Sequence, residues 1–161
     1  MHPTYQAAFD ILRDSFDMFS EALDGLPDAA FDWTPVAGTS SIAILVTHSI
    51  TSTRFWLSAG AGLDPDREAY FAEHRPTSFR VRGGSAAAFR NQLADAVREF
   101  EGTLAKGTGE SLMATLSWTT DSGSHPAGAE CLFRAIGHLR EHVGQAMLMR
   151  DIWLAGSREG H

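Results

Sequence analysis

His48, His138 and His142 are the residues of this 161-residue sequence whose type and placement suit chemistry. Positions 138 and 142 are one helical turn apart. On a helix their imidazoles project from one face and reach a single ion at the roughly 2.0–2.1 Å of a zinc–nitrogen bond. His48 falls on the inward stripe of a second expected helix, where a buried imidazole must find partners for both ring nitrogens. A metal ion satisfies all three at once. Three neutral nitrogen ligands also leave a coordination position open, as catalytic centres do and closed structural sites do not. Ser49, Ser52 and Ala135, close to these positions, are small enough to leave a cavity. The same residues also fit a helical core in which hydrogen-bonded histidines pack without metal.

The remaining histidines carry less. His2 and His161 are terminal and His74 and His125 fall in connecting segments, so each is expected in solvent. The string His138-Leu139-Arg140-Glu141-His142 matches the H-x-x-E-H pattern of a zinc-peptidase class whose glutamate is a general base. Such an enzyme needs a further acidic ligand well downstream, and residues 143–161 offer only Asp151 and Glu159. Glu141 lies about 100° around the helix from His142 and reads as a surface acid or a proton-transfer partner outside the ligand set. Gln145, on nearly the face of His138, suits a hydrogen bond to a metal-bound water, to substrate or inside the helical core. Cys131 shares that face but sits about 10 Å along the axis from His138, too far for a fourth ligand, and reads as a small core residue. Arg54, Arg80, Arg82 and Arg140 are candidates for holding substrate carboxylates, with solvated surface positions as the alternative.

The elements that must position these groups follow from apolar spacing. Tyr5, Phe9, Leu12, Phe16, Phe19, Leu23 and Leu26 alternate in steps of four and three, predicting a first helix over about 4–26 that Asp24-Gly25 and Pro27 stop. Ser40 or Ser41 caps a second helix to about Ala59, with an inward series of Ser41, Leu45, His48, Ser52, Phe55 and Ala59. Residues 60–84, rich in Gly and Pro, read as a long irregular connection with a short helix near 66–74. Ser85 or Gly84 opens a third helix with the stripe Phe89, Leu93, Ala96 and Phe100, ending near Lys106-Gly107. Residues 107–127 return to Gly, Ser and Thr, with Leu112 to Trp118 locally extended and Pro126 suited to a first helical turn. A fourth helix, from about Ala127 to Leu154, carries Leu132, Ala135, Leu139, His142, Ala146, Met149 and Trp153. Four helices and no strand-period segment predict an all-α four-helix bundle. The 60–84 connection is long enough to cross the ~30 Å of a twenty-residue helix, so helices 2 and 3 are expected to run parallel.

Composition sets the outer limits. One domain over 1–161 is expected at this length. A net charge of −7 and a pI near 5.4 disfavour nucleic acid, whose binding rests on neutralising phosphates. Cys131 is the single cysteine, which excludes an intramolecular disulfide and suits the cytoplasm. Met1 to Tyr5 lacks a basic segment followed by an apolar one, and no apolar run reaches the ~18 residues of a membrane span, so neither export nor membrane insertion is expected.

At Phe31-Asp32-Trp33-Thr34-Pro35, Ser41-Ile42-Ala43, Leu45-Val46-x-His48 and His138-x-x-x-His142-x-Gly144-Gln145, the chain resembles the DinB-like, or YfiT-like, metalloenzymes. The match lies in two stretches, roughly 31–59 and 128–154, and its specificity is in the combination. The resemblance implies an up-down-down-up four-helix bundle that binds a divalent ion, zinc, nickel or similar, through His48, His138 and His142. It also implies a homodimer, to which outward-facing Leu57 and Trp56 would contribute. Some members of the family transfer a low-molecular-weight thiol, bacillithiol or mycothiol, to an electrophilic small-molecule substrate. Residues 60–84 and 107–127 follow no family signature, and substrate choice is left to them. Two further functions stay open: a metal-dependent hydrolase using a metal-bound hydroxide, and a non-catalytic helical binding module.

Overall fold

In the computed structural model, residues 1–120 and 122–159 are described, and the expectation for His161 lies outside them. Four long helices account for most of the chain: α1 (Pro3–Glu21), α2 (Ile42–Gly60), α3 (Ala86–Leu104) and α4 (Gly128–Glu159). No strand occurs among the described residues, where one isolated antiparallel bridge, Thr115 to Ala127, is found. The first three helices each start where a side chain satisfies a free N–H, and at α4 the Gly128 N–H donates to the Ala114 carbonyl. Ser41 Oγ accepts from Ile44 N–H and Ser85 Oγ from Ala88 N–H. His2, expected in solvent, is half-buried and caps α1 by accepting from Thr4 N–H ahead of Pro3.

Every residue of the α1 and α3 stripes named above is buried. α1 packs on α3 and α4, and α2 packs on α3 and α4. Phe16 meets Phe100 at 5.7 Å between ring centres, and Arg90 pairs with Asp24. Arg150 Nε donates to the Asp24 carbonyl at 2.9 Å, and Arg54 pairs with Glu99. At the far end of α2, Tyr5 Oη donates to the Gly60 carbonyl at 2.6 Å. A Cβ on Gly128 would lie 2.0 Å from the Ser111 carbonyl oxygen, and one on Gly60 would lie 3.1 Å from the Gly128 carbonyl oxygen. Gly128 is therefore required by the short helix carrying Ser111, and the end of α2 packs tightly on the start of α4 with no room to spare for a side chain at Gly60.

α2 is buried on two faces rather than one. The stripe of His48, Ser52 and Phe55 is buried as expected, but Val46, Ile50 and Leu57 form a second stripe inside the main hydrophobic cluster. Leu57, expected to face outward, is 0% exposed, and Trp56 is half-buried. Leu57 turns into the bundle's main hydrophobic cluster, and the stripe of His48, Ser52 and Phe55 is covered instead by the connection between α2 and α3, which folds back over α2 and stacks Tyr70 on Phe55. Its helical part spans residues 67–78 and widens into a π-turn over Tyr70–His74. Pro76 follows at once; it has no N–H for an i−4 carbonyl, and its ring would crowd the carbonyl of Ala72 in a regular α-helix. Two smaller expectations also change. Leu112 lies in a short helix, Gly109–Met113, that Thr108 and Ser111 cap reciprocally. Pro126 stands before α4, not in its first turn, and its carbonyl accepts from Leu116 N–H. No helix among the described residues is long and apolar enough to cross a membrane.

Candidate metal centre

α2 and α4 bring the three histidines together. His48 Nε2 lies 3.2 Å from His138 Nε2, which lies 3.1 Å from His142 Nε2. His48 is buried and the other two are half-buried. The ring of His48 packs against Phe79 at 4.2 Å, so it is held on its face as well as at its nitrogens.

The remaining ring nitrogens decide what the Nε2 atoms can do. Ser78 Oγ donates to the Arg75 carbonyl at 2.7 Å, so its 3.1 Å contact with His48 Nδ1 is one in which the ring N–H donates. His142 Nδ1 donates to Gln145 Oε1 at 2.9 Å in the same sense. With the proton on Nδ1 in both rings, both Nε2 lone pairs face His138. His138 Nδ1 is buried with no hydrogen-bond partner among the described residues. A proton on His138 Nε2 would bridge one neighbour, leave the other lone pair opposed and leave Nδ1 an empty acceptor. Three lone pairs converging within about 3 Å are instead the donor set of a cation, and the outer hydrogen bonds that the rings donate to Ser78 and Gln145 are those that orient ligating imidazoles. The residues fit a divalent ion.

Electrostatics agree. Burial, reinforced by the charges of His138, His142 and Arg75, pushes His48 down to about 3. Burial first, then His142 and Arg75, pushes His138 down to about 4. Both rings are therefore neutral at physiological pH, the form that binds metal.

A cavity of about 600 Å³ opens onto His48, Ser52 and His138. The arginines expected to serve it do not. Arg54 is engaged by Glu99, Arg140 reaches Met18, and Arg82 bonds the Val81 carbonyl; neither these nor Arg80 lines the cavity. Arg67, Arg75 and Arg134 line it instead, with Trp56, Phe71 and Trp118. The spacing of Arg67 and Phe71, four apart on the segment expected as a short helix near 66–74, was the available signal, and Arg75 falls just past it. Ser78 had none, because it lies beyond that segment. Glu141 is exposed, as expected. Cys131 is wholly buried and takes no part, and burial raises its thiol to about 11.

In structure, the chain is similar to a conserved protein from Enterococcus faecalis, with a TM-score of 0.71 and 21% identity over 93% of this chain and 96% of the other. That likeness shows the fold. No curated protein matches the sequence. A family model of the DinB superfamily matches residues 11–146, a span that contains all three histidines, the whole of α2 and the first part of α4. With the metal-competent triad lying inside the matched span, the chain belongs to the DinB superfamily, a metal-binding family.

Proposed function

We propose that the protein is a divalent-metal-dependent enzyme that joins a low-molecular-weight thiol to an electrophile, with His48, His138 and His142 as the metal ligands. The observation carrying this reading is the convergence of three Nε2 atoms, with the tautomers of His48 and His142 set from outside by Ser78 and Gln145. An ion of the zinc or nickel type, when bound, supplies a Lewis acid that keeps a thiol in its thiolate form at neutral pH. Everything else falls to the chain. The neutral imidazoles leave the ion its full charge, and Ser52 and Ala135 leave room beside them. Trp56 and Trp118 narrow the cavity so that thiol and electrophile are held together, which contributes more than a higher thiolate fraction does, because nucleophilicity falls as thiolate becomes easier to form.

The cross-helix contacts support an up-down-down-up bundle formed as one domain. Gly60 sits by Gly128 while His48 sits by His138, so α2 and α4 run antiparallel. Met18 and Asp24 meet Arg140 and Arg150 in the same chain order, so α1 and α4 run parallel. Exposed Phe133, Leu148 and Ile152 on α4 replace Leu57 as apolar residues that a homodimer would cover.

The test is metal analysis of untagged protein followed by turnover assays with bacillithiol, mycothiol, glutathione or cysteine against epoxides and activated halides. One ion per chain and thiol-dependent turnover lost in His138→Ala are expected. Metal-dependent ester or amide cleavage that needs no thiol would replace this reading with a hydrolase.

A further inference from the structure

We propose that the cavity beside the histidines takes a small organic carboxylate bearing a flat apolar group, with Arg67 and Arg75 holding the carboxylate and Trp118, Trp56 and Phe71 receiving the flat part. This rests on the enzymatic reading and names the acceptor's class. The chain carries a net charge of −7, yet the described residues lining this cavity include three arginines and no carboxylate. The charge of the described lining therefore opposes that of the whole molecule, and a concave site of one sign concentrates ions of the other.

The arginines differ in how free they are. Arg134 pairs with Glu130 at 2.8 Å. Among the described residues no carboxylate lies within 4.0 Å of Arg67 or Arg75. Aromatic faces hold them instead. The Arg67 guanidinium lies 4.9 Å from the Phe71 ring centre and 5.8 Å from that of Trp118, and Arg75 lies 5.3 Å from Phe79. A guanidinium held against a ring by its face keeps its N–H donors in plane, directed away from the ring and able to grip a carboxylate with two bonds. Trp56 and Trp118, with ring centres 5.8 Å apart, give the same cavity an apolar wall. At about 600 Å³ the space suits a single small molecule.

The probes are benzoate and its neutral analogue benzamide, titrated by intrinsic tryptophan fluorescence into metal-free and metal-loaded full-length protein. In the metal-free protein benzoate should bind at least about tenfold more tightly than benzamide, a preference in which the ion has no part. The Arg67→Gln/Arg75→Gln variant should lose that preference, and Arg82→Gln should keep it. Equal affinity for the two probes in metal-free protein, or a preference that survives the double substitution, would overturn the proposal. A thiol arm compares 3-mercaptopropionate with 2-mercaptoethanol; a carboxylate preference seen there and absent for benzoate would assign the charge to the thiol and also overturn it. Metal stoichiometry, measured on the same samples, reports separately on the ligand assignment.

Discussion

The helical segment 67–78 separates two cavities of nearly equal size and opposite chemistry. On one side about 600 Å³ is lined by Arg67, Arg75, His48 and His138; on the other about 570 Å³ is lined by Asp66, Glu73, His74, Thr47, Thr51 and an Arg54 already paired with Glu99. Tyr70, stacked on Phe55 at 4.1 Å and 12°, lines both. Volume alone cannot tell them apart. The difference is that three ring nitrogens on the first side converge on one point, with the tautomers of His48 and His142 fixed from outside, while the polar atoms on the second form no cluster of three metal-capable groups among the described residues. A site is recognised by lone pairs that have nowhere else to go.

Substitutions on the two sides should therefore behave differently. His48→Ala, which removes one of three ligands, should weaken metal binding at least about a hundredfold in competition with a chromophoric chelator, whereas His74→Ala should bind as the parent does. If the two variants bind metal equally, the contrast between the cavities fails.

The neighbours Ser78 and Thr77 sharpen the contrast within one turn. Ser78→Ala removes the acceptor for His48 Nδ1–H and should weaken metal binding about tenfold while leaving one ion per chain at saturation. Thr77 lines the same cavity as Ser78 but is exposed and bonds no ring nitrogen of the triad, so Thr77→Ala should leave affinity unchanged.

The smallest effect concerns pH in metal-free protein. His48 and His138 titrate at about 3 and about 4 in the fold, below the ordinary histidine value near 6.5. Between these limits the unfolded chain binds protons that the folded chain refuses. Their contribution is thus full above about pH 6.5 and declines as pH falls towards 4. Urea unfolding midpoints at pH 7 and pH 5 should differ more for the parent than for His48→Gln/His138→Gln, and identical differences would remove the buried neutral pair from the account.

The sequence made the helices and the triad legible for separate reasons. A three-four apolar repeat is a property of neighbouring residues, and it located the cores of α1 and α3 and the caps Ser41 and Ser85. The triad was legible because 138 and 142 share a turn and because His48 interrupts an apolar stripe. What covers α2 was not legible. Leu57 reads as outward on a helix assumed to have one buried face, and only the folded connection reveals a helix buried on two. Ser78 and Arg75 belong to that same connection, past a π-turn that breaks the spacing from which faces are counted. Pro126 met a related difficulty, since a proline fits either the first turn of a helix or the residues just before it.

The lone cysteine makes the protein its own kinetic reporter. Cys131 is 0% exposed with a thiol raised to about 11, so a soluble thiol reagent labels it only while the α2–α4 end of the molecule is open. Where closing outruns labelling, the observed rate is the open population multiplied by the rate for an unprotected thiol. An ion gripped seven residues further along α4 must lower that population, slowing modification by about a hundredfold at a free concentration one hundred times its dissociation constant. Affinity for a colourless ligand can thus be read from the pace at which one buried sulfur is modified, with no substrate in the tube.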